Sequence, residues 1–223
     1  MVKQIYIVRH GETALNNKGI IQCQVDTNTI NQNGVHQANQ VGKLLPSDID
    51  VIFSSPLKRA VATSAIISQY NNAETFIVDG LEEMFGGNIH QMTVEEFEKT
   101  EFNPPIIYKN AITNEDIVVR AGKEIRDNMF TNDVAFGNFA YPHGESKIQA
   151  KARFERAVRS AIKNHPDAEK ILVVSHGFTI KSFIMGIDEL KDFRMMRHSD
   201  ILQFSFENDK FKFVNYIRSE KKK

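Results

Sequence analysis

A single cysteine, Cys23, stands in a chain of 223 residues, so no disulfide can form within it. That fits a reducing compartment and removes the chain from the class of small disulfide-stapled domains. Excess charge of either sign is missing too: Lys+Arg and Asp+Glu both number 28. Nucleic-acid binding rests on phosphate neutralisation by a basic surface, so no nucleic-acid partner is expected, although a local basic pocket remains open. Long hydrophobic runs are absent, and the apolar stretch in MVKQIYIVRHGET is too short for a signal sequence or a span. A cytoplasmic protein without a membrane partner is expected. No H-x-H, HExxH or paired Cys/His spacing occurs, so neither a metal nor another cofactor is expected. With no repeat, low-complexity segment or clear linker, residues 1–223 read as one domain.

What is present is an ordinary globular composition, 41% hydrophobic and 25% charged, enough to bury a core. KQIYIV (3–8), DVIF (50–53), TFIVDG (75–80) and KILVVS (170–175) are short runs rich in β-branched and aromatic residues, and predict buried strands. Helical spacing marks 32–45, and the segment after Ser55-Pro56 looks like a capped helix start with proline in its first turn. Further helices are predicted from Glu145 to His165 and after Gly177. ILQFSFENDKFKFVNYI alternates around Asn208-Asp209 and predicts a hairpin. The lysine-rich tip, 220–223, reads as frayed. Residues 86–144 break the alternation and read as a capping insertion over one end of the sheet, with helices near 93–99 and 114–130. Strands alternating with helices predict an α/β domain whose mostly parallel sheet is covered on both faces.

Ligands of such sheets bind beyond the carboxyl ends of the strands. The polar residues expected there are Arg9-His10-Gly11-Glu12-Thr13, Ser54-Ser55 with Lys58-Arg59, Glu82-Glu83, and His176-Gly177. Two imidazoles, several cations and a carboxylate suit phosphoryl transfer. Arginine holds phosphoryl oxygens bidentately, a neutral imidazole attacks phosphorus, and a carboxylic acid protonates the leaving alkoxide.

Arg9-His10-Gly11-Glu12-Thr13 resembles the RHGE[TS] signature of the histidine phosphatase superfamily, the phosphoglycerate-mutase-like group. Further blocks follow in the family's order: Asn16 and Gln22; Asn33-Gly34 with Gln37-Ala38; Ser54-Ser55-Pro56-Leu57-Lys58-Arg59-Ala60; Leu81-Glu82-Glu83-Met84; Gly144-Glu145-Ser146 with Arg153; and Val174-Ser175-His176-Gly177. The resemblance implies a three-layer α/β/α sandwich and chemistry without metal. It implies His10 as nucleophile, Arg9 and Arg59 as phosphate clamps, His176 as the second phosphate-pocket histidine, and Glu83 as the acid. Asn16 would help bind phosphate. Gln22, Gly177 and, from the insertion, His90 are expected to face the substrate.

The chain also departs from the family. It has no tryptophan, so the W-E-G that often follows the acid is replaced by Ile89-His90-Gln91, and the early Q-G is Gln22-Cys23. His198 stands where many members have an asparagine before the C-terminal hairpin. All three departures are expected to lie in substrate-facing parts, outside the phosphate pocket. The F-T-G-W-x-D stretch typical of mutases is Ile21-Gln22-Cys23-Gln24-Val25-Asp26, which favours a phosphatase acting on a small phosphorylated substrate. Cofactor-dependent phosphoglycerate mutase is the alternative, and a catalytically silent binding protein the third reading.

Overall fold

The computed structural model describes residues 2–219; the tip expected to fray, 220–223, lies outside them. β1 (Lys3–Arg9) leads through a one-turn helix, α1 (Ala14–Asn17), to α2 (Gln32–Leu44) and β2 (Val51–Ser54). Then come α3 (Lys58–Ile67), β3 (Glu74–Ile77), α4 (Val94–Glu98), β4 (Glu101–Lys109), β5 (Asp116–Ala121) and α5 (Gly122–Met129). The chain closes with α6 (Lys147–Asn164), β6 (Lys170–Ser175), α7 (Gly177–Phe183), β7 (Ile201–Glu207) and β8 (Lys210–Ile217). The main sheet has the order β3-β2-β6-β1-β7-β8. Its first four strands run parallel, and the β7–β8 hairpin adds an antiparallel edge.

Alternation along the strands sends side chains to two cores. On one face, Ile5, Ile7, Phe53, Ile171 and Val173 pack with Phe154 and Val158 of α6 and Ile180 and Phe183 of α7. On the other, Tyr6, Val8, Ile52, Leu172 and Val174 pack with Ala38 and Val41 of α2 and Ala60 and Ile67 of α3. The expected α/β/α sandwich is the observed architecture. Asn208 and Asp209 both take positive φ, 50° and 62°, the conformation a two-residue hairpin turn requires. No helix among the described residues is long and apolar enough to cross a membrane.

The 86–144 segment differs from its expected helical form. α-Helix occupies Val94–Glu98, where one was expected, and Gly122–Met129, only the later part of the expected 114–130, and between them β4 and β5 form a separate two-stranded antiparallel sheet. The β-branched run Ile117-Val118-Val119 favours extended backbone over the helix expected from 114. β4 tolerates Pro104 and Pro105 because its register shifts between Glu101 and Ile106, so neither proline must donate to the ladder. This segment carries its own apolar cluster, including Phe97, Tyr108, Ile125, Phe139 and Tyr141.

The helix after Pro56 begins later than expected. Leu57 is its N-cap residue and has no side-chain cap bond. Ser55 Oγ accepts from Leu57 N at 3.3 Å, but its other partner lies across the sheet, in the site described next.

Candidate active site

Strand register brings the histidines together. Arg9 on β1 is paired with Ser175 on β6, and Ser54 on β2 with Val174. His10, His176 and Ser55 therefore leave three adjacent parallel strands side by side. The backbone continues the ladder one step further: His10 N donates to Ser175 O at 3.0 Å, and Ser55 N to Val174 O at 3.0 Å. The His10 and His176 ring centroids lie 5.1 Å apart, close to the spacing of neighbouring strands.

Each ring's hydrogen bonds define its tautomer. His10 Nδ1 is 2.7 Å from Gly11 O, an atom that can only accept, so Nδ1 carries the proton and Nε2 keeps its lone pair. His176 Nε2 lies 2.8 Å from Ser55 Oγ. That hydroxyl, which also accepts from Leu57 N, can give its proton to Nε2, and in that arrangement the His176 proton sits on Nδ1. Burial holds the pKa of both rings well below 6.5; for His10, His176 adds to the effect ahead of Arg9 and Arg59, and for His176 the two arginines add to it. Both rings are neutral at pH 7.

Three buried nitrogens around His10 have no hydrogen-bond partner among the described residues: the cationic donors Arg9 Nε and Arg59 Nε, and His176 Nδ1, a donor when Ser55 protonates Nε2. A buried donor left unsatisfied costs about 1–3 kcal/mol, more when charged. Three at one place define a site whose complement is an oxyanion. Both guanidiniums are held by backbone carbonyls at their other nitrogens. Arg9 donates to Met196 O at 3.2 Å, and Arg59 to Val25 O and Cys23 O at 2.8 and 2.7 Å. Burial pulls Arg9 down to about 10, which still leaves it a cation at neutral pH.

Gly177 makes room for one of these clamps. A Cβ there would lie 3.3 Å from Arg9 Nε and Cζ, and 3.1 Å from Met195 Sδ. Gly11 answers a different need: its Cβ would fall 2.5 Å from Gly34 O, where the loop after β1 crosses the start of α2.

Glu83 lines the same cavity, while Glu82 turns away, its Oε2 accepting from Gly80 N at 2.7 Å. The Glu83 carboxylate accepts from Thr179 N at 2.9 Å, Phe178 N at 3.1 Å and Met84 N at 2.9 Å. Its main chain is secured by Arg153, which donates to Gly80 O and Glu82 O and pairs with Glu145 at 2.7 Å. The Gly144-Glu145-Ser146…Arg153 block thus has a physical role in fixing the loop that presents Glu83.

The cavity measures about 190 Å³. Arg9, His10, Arg59 and Glu83 supply its polar end, with Asn16 and Gln22 beside them. Asn16 Oδ1 accepts from Thr13 N at 3.1 Å, which leaves its NH2 as the unused end of the amide. Gln22 is buried and accepts from Asn28 Nδ2 at 2.9 Å. The remaining walls are largely apolar: Ile20, Ile21, Met84 and Phe178, with Val94, Phe97, Phe130 and Tyr141 from the 86–144 segment. Arg126 of α5 also reaches the wall, paired with Glu98 and 5.3 Å from the Phe130 ring centroid.

One expectation needs correction. His90 is exposed, its Nδ1 bonded to Gly87 O at 2.9 Å within its own turn, and it does not line the cavity. His198 was expected outside the phosphate pocket. It does not line the cavity, but its Nδ1 lies 2.6 Å from His10 O and its ring 5.4 Å from the His10 ring. Cys23 also lines the cavity, buried and with its thiol pushed up to about 12 by desolvation, so it is no thiolate at neutral pH.

Comparison with known proteins agrees with this geometry. The family described as histidine phosphatase superfamily (branch 1) matches residues 5–118 and 117–217. An uncharacterized phosphatase, PhoE, of Bacillus subtilis is 27% identical over 217 residues, covering 95% of this chain and 93% of its own. A 2,3-bisphosphoglycerate-dependent phosphoglycerate mutase of Methanococcus vannielii is also 27% identical, covering 86% and 84%. A solved phosphoserine phosphatase mutant from Entamoeba histolytica, in complex with phosphoserine, superimposes with a TM-score of 0.71 over 96% of each chain, and at 23% identity speaks for the fold alone. With the family matched over nearly the whole length and its sequence blocks gathered on one rim of the sheet, the chain belongs to the histidine phosphatase superfamily.

Proposed function

We propose that the chain is a metal-independent phosphomonoester hydrolase working through a phosphohistidine on His10. The observation that carries this reading is the neutral His10, its Nε2 lone pair free, beside three unpartnered buried nitrogens, two of them on arginines. Nε2 attacks phosphorus, the ester P–O bond breaks, and Glu83 gives its proton to the leaving alkoxide. Water then attacks the phosphohistidine and yields a proton to Glu83, and the P–N bond breaks to release phosphate. Arg9, Arg59 and His176 Nδ1–H hold the phosphoryl oxygens as charge builds on them, the work a dication does elsewhere. Asn16, Gln22 and Gly177 complete the phosphate end.

The 86–144 segment acts as the capping insertion and selects the alcohol. Its contribution to the wall is mostly aromatic and aliphatic, with Arg126 as its one cation and Glu98 already paired to it. That favours a small ester with a largely apolar body. It disfavours a mutase substrate such as bisphosphoglycerate, whose second phosphate and carboxylate would need further cations.

The test is turnover after treatment with EDTA. Hydrolysis of p-nitrophenyl phosphate is expected to survive chelation, with kcat/KM about tenfold or more above that for 3-phosphoglycerate, and alkaline quenching is expected to trap a phosphohistidine. Loss of activity with EDTA and its return with a divalent cation would overturn the mechanism. Phosphoryl exchange between positions of glycerate, faster than release of phosphate, would establish the mutase reading. Binding of phosphate without turnover of any ester would favour the silent protein.

Gly177→Ala is a sharper check on the clamp. Crowding of Arg9 is expected to raise the inhibition constant of inorganic phosphate about tenfold, with a melting temperature close to the parent's. Unchanged inhibition would show that Arg9 Nε does not hold the anion.

A further inference from the structure

We infer that His198 is the positioning residue for the nucleophile, setting the His10–Gly11 peptide through the hydrogen bond from its Nδ1–H to His10 O. This rests on the proposed role of His10. Two successive carbonyls do different work at this point. Gly11 O accepts the His10 Nδ1 proton at 2.7 Å and so points the Nε2 lone pair; His10 O accepts from His198 at 2.6 Å. Gly11 N, the other edge of the His10–Gly11 peptide, donates to Thr63 Oγ1 at 2.9 Å, and a rotation about the His10 Cα–C bond would carry Gly11 O away from Nδ1. The bond from His198 opposes that rotation.

The loop carrying His198 is itself firmly held. Arg197 makes a two-pronged pair with Asp200 at 2.9 and 2.8 Å, and Asp200 is fully buried and also accepts from Tyr216 Oη on β8. Ser199 Oγ meets Ser219 Oγ at 2.6 Å. Two residues before His198, Met196 is buried and its carbonyl accepts from Arg9. One loop, tied to the C-terminal hairpin, therefore reaches both the nucleophile's backbone and a phosphate clamp. The rigid support lies outside the cavity, and His198 links it to the reacting residue.

Side-chain geometry supplies a test that separates donation from packing. In histidine, Nδ1 is bonded to Cγ, as Nδ2 is in asparagine, so both reach the same carbonyl from the same Cβ. Phenylalanine fills the ring's space but has carbon at that position. His198→Phe is expected to lower kcat about tenfold or more with KM within about threefold, because orientation fails while the phosphate donors remain. His198→Asn is expected to recover most of the loss. A residue needed only for packing would give the opposite order.

Nitrogen-15 NMR of the labelled histidines reads the mechanism without turnover. The parent and His198→Asn should hold His10 as the Nδ1–H tautomer, and His198→Phe should show a mixture of tautomers. A kcat for His198→Phe near that of the parent, an asparagine variant as slow as the phenylalanine one, or one His10 tautomer throughout would each overturn the inference. A parent without phosphatase activity would instead sink the functional reading, leaving the tautomer populations to decide the role of His198.

Discussion

His10→Ala is expected to lower kcat for a phosphomonoester on the order of 10⁴-fold or more and to eliminate the base-stable phosphoenzyme. The variant should still bind inorganic phosphate, because Arg9, Arg59 and His176 keep their donors; titration calorimetry of the folded variant checks this. His176→Ala should behave differently. It removes a donor to charge that grows in the transition state, with an expected loss of roughly 10²–10³-fold, and a phosphoenzyme should still form slowly. The double variant should be hardly slower than His10→Ala alone, since removing the nucleophile leaves no covalent transition state to stabilise. If His10→Ala kept a tenth of the parent's rate, His10 would not be the phosphoryl acceptor. Loss of phosphate binding in that variant would instead show that the imidazole itself helps to hold the anion.

The local signals that led to His10 and His176 differ from those that would have led to His198. The strands read correctly because KQIYIV and KILVVS are buried on both faces, so short β-branched runs bounded by polar residues have few other uses. Once those strands are parallel neighbours, the residues after their last pairs must meet, and no side-chain detail is needed to foresee it. His198 lies in an irregular loop 188 positions from its partner. No period or cap points across that distance, and the departure from the family's asparagine was legible only as a difference. Its meaning came from one contact to a backbone carbonyl.

Ser55 presents the same problem in another form. Beside Pro56 it reads as a helix cap, but its hydroxyl also meets His176 Nε2 at 2.8 Å, 121 residues away. The β4–β5 sheet is hard to read from the sequence because Pro104 and Pro105 stand inside β4, where a strand admits them only at an irregular register. His90 was placed near the substrate by membership of the insertion alone; the turn that binds its Nδ1 faces it to solvent. The chemistry was legible where strand ends carried it, and the chamber's shape was not, since long-range packing of the 86–144 segment determines it.

The buried imidazoles also predict steep acid destabilisation. His10 and His176 have pKa values well below 6.5, and burial brings His198 down to about 3, with Arg9 adding to the effect. In the unfolded chain each ring takes a proton near pH 6.5. Between that value and the folded pKa the unfolded state binds more protons, so unfolding free energy must fall as pH falls. The limiting slope is about 1.4 kcal/mol per pH unit for each ring. His198, at about 3 in the folded chain, accounts for a loss on the order of 1–2 kcal/mol between pH 6.5 and 5, and His10 and His176 add to it in the same direction. Above about pH 8 neither state is protonated at these sites, and the contribution is constant. Urea denaturation at pH 7.5, 6.5, 5.5 and 5.0 measures the slope. His198→Asn removes one titrating ring while keeping its donor, so the slope should become shallower. Inorganic phosphate, binding only the folded site, should raise stability at each pH. A flat profile from pH 7.5 to 5 would mean that the folded rings take up protons as readily as the unfolded ones, and would remove the case for a nucleophile kept neutral by its surroundings.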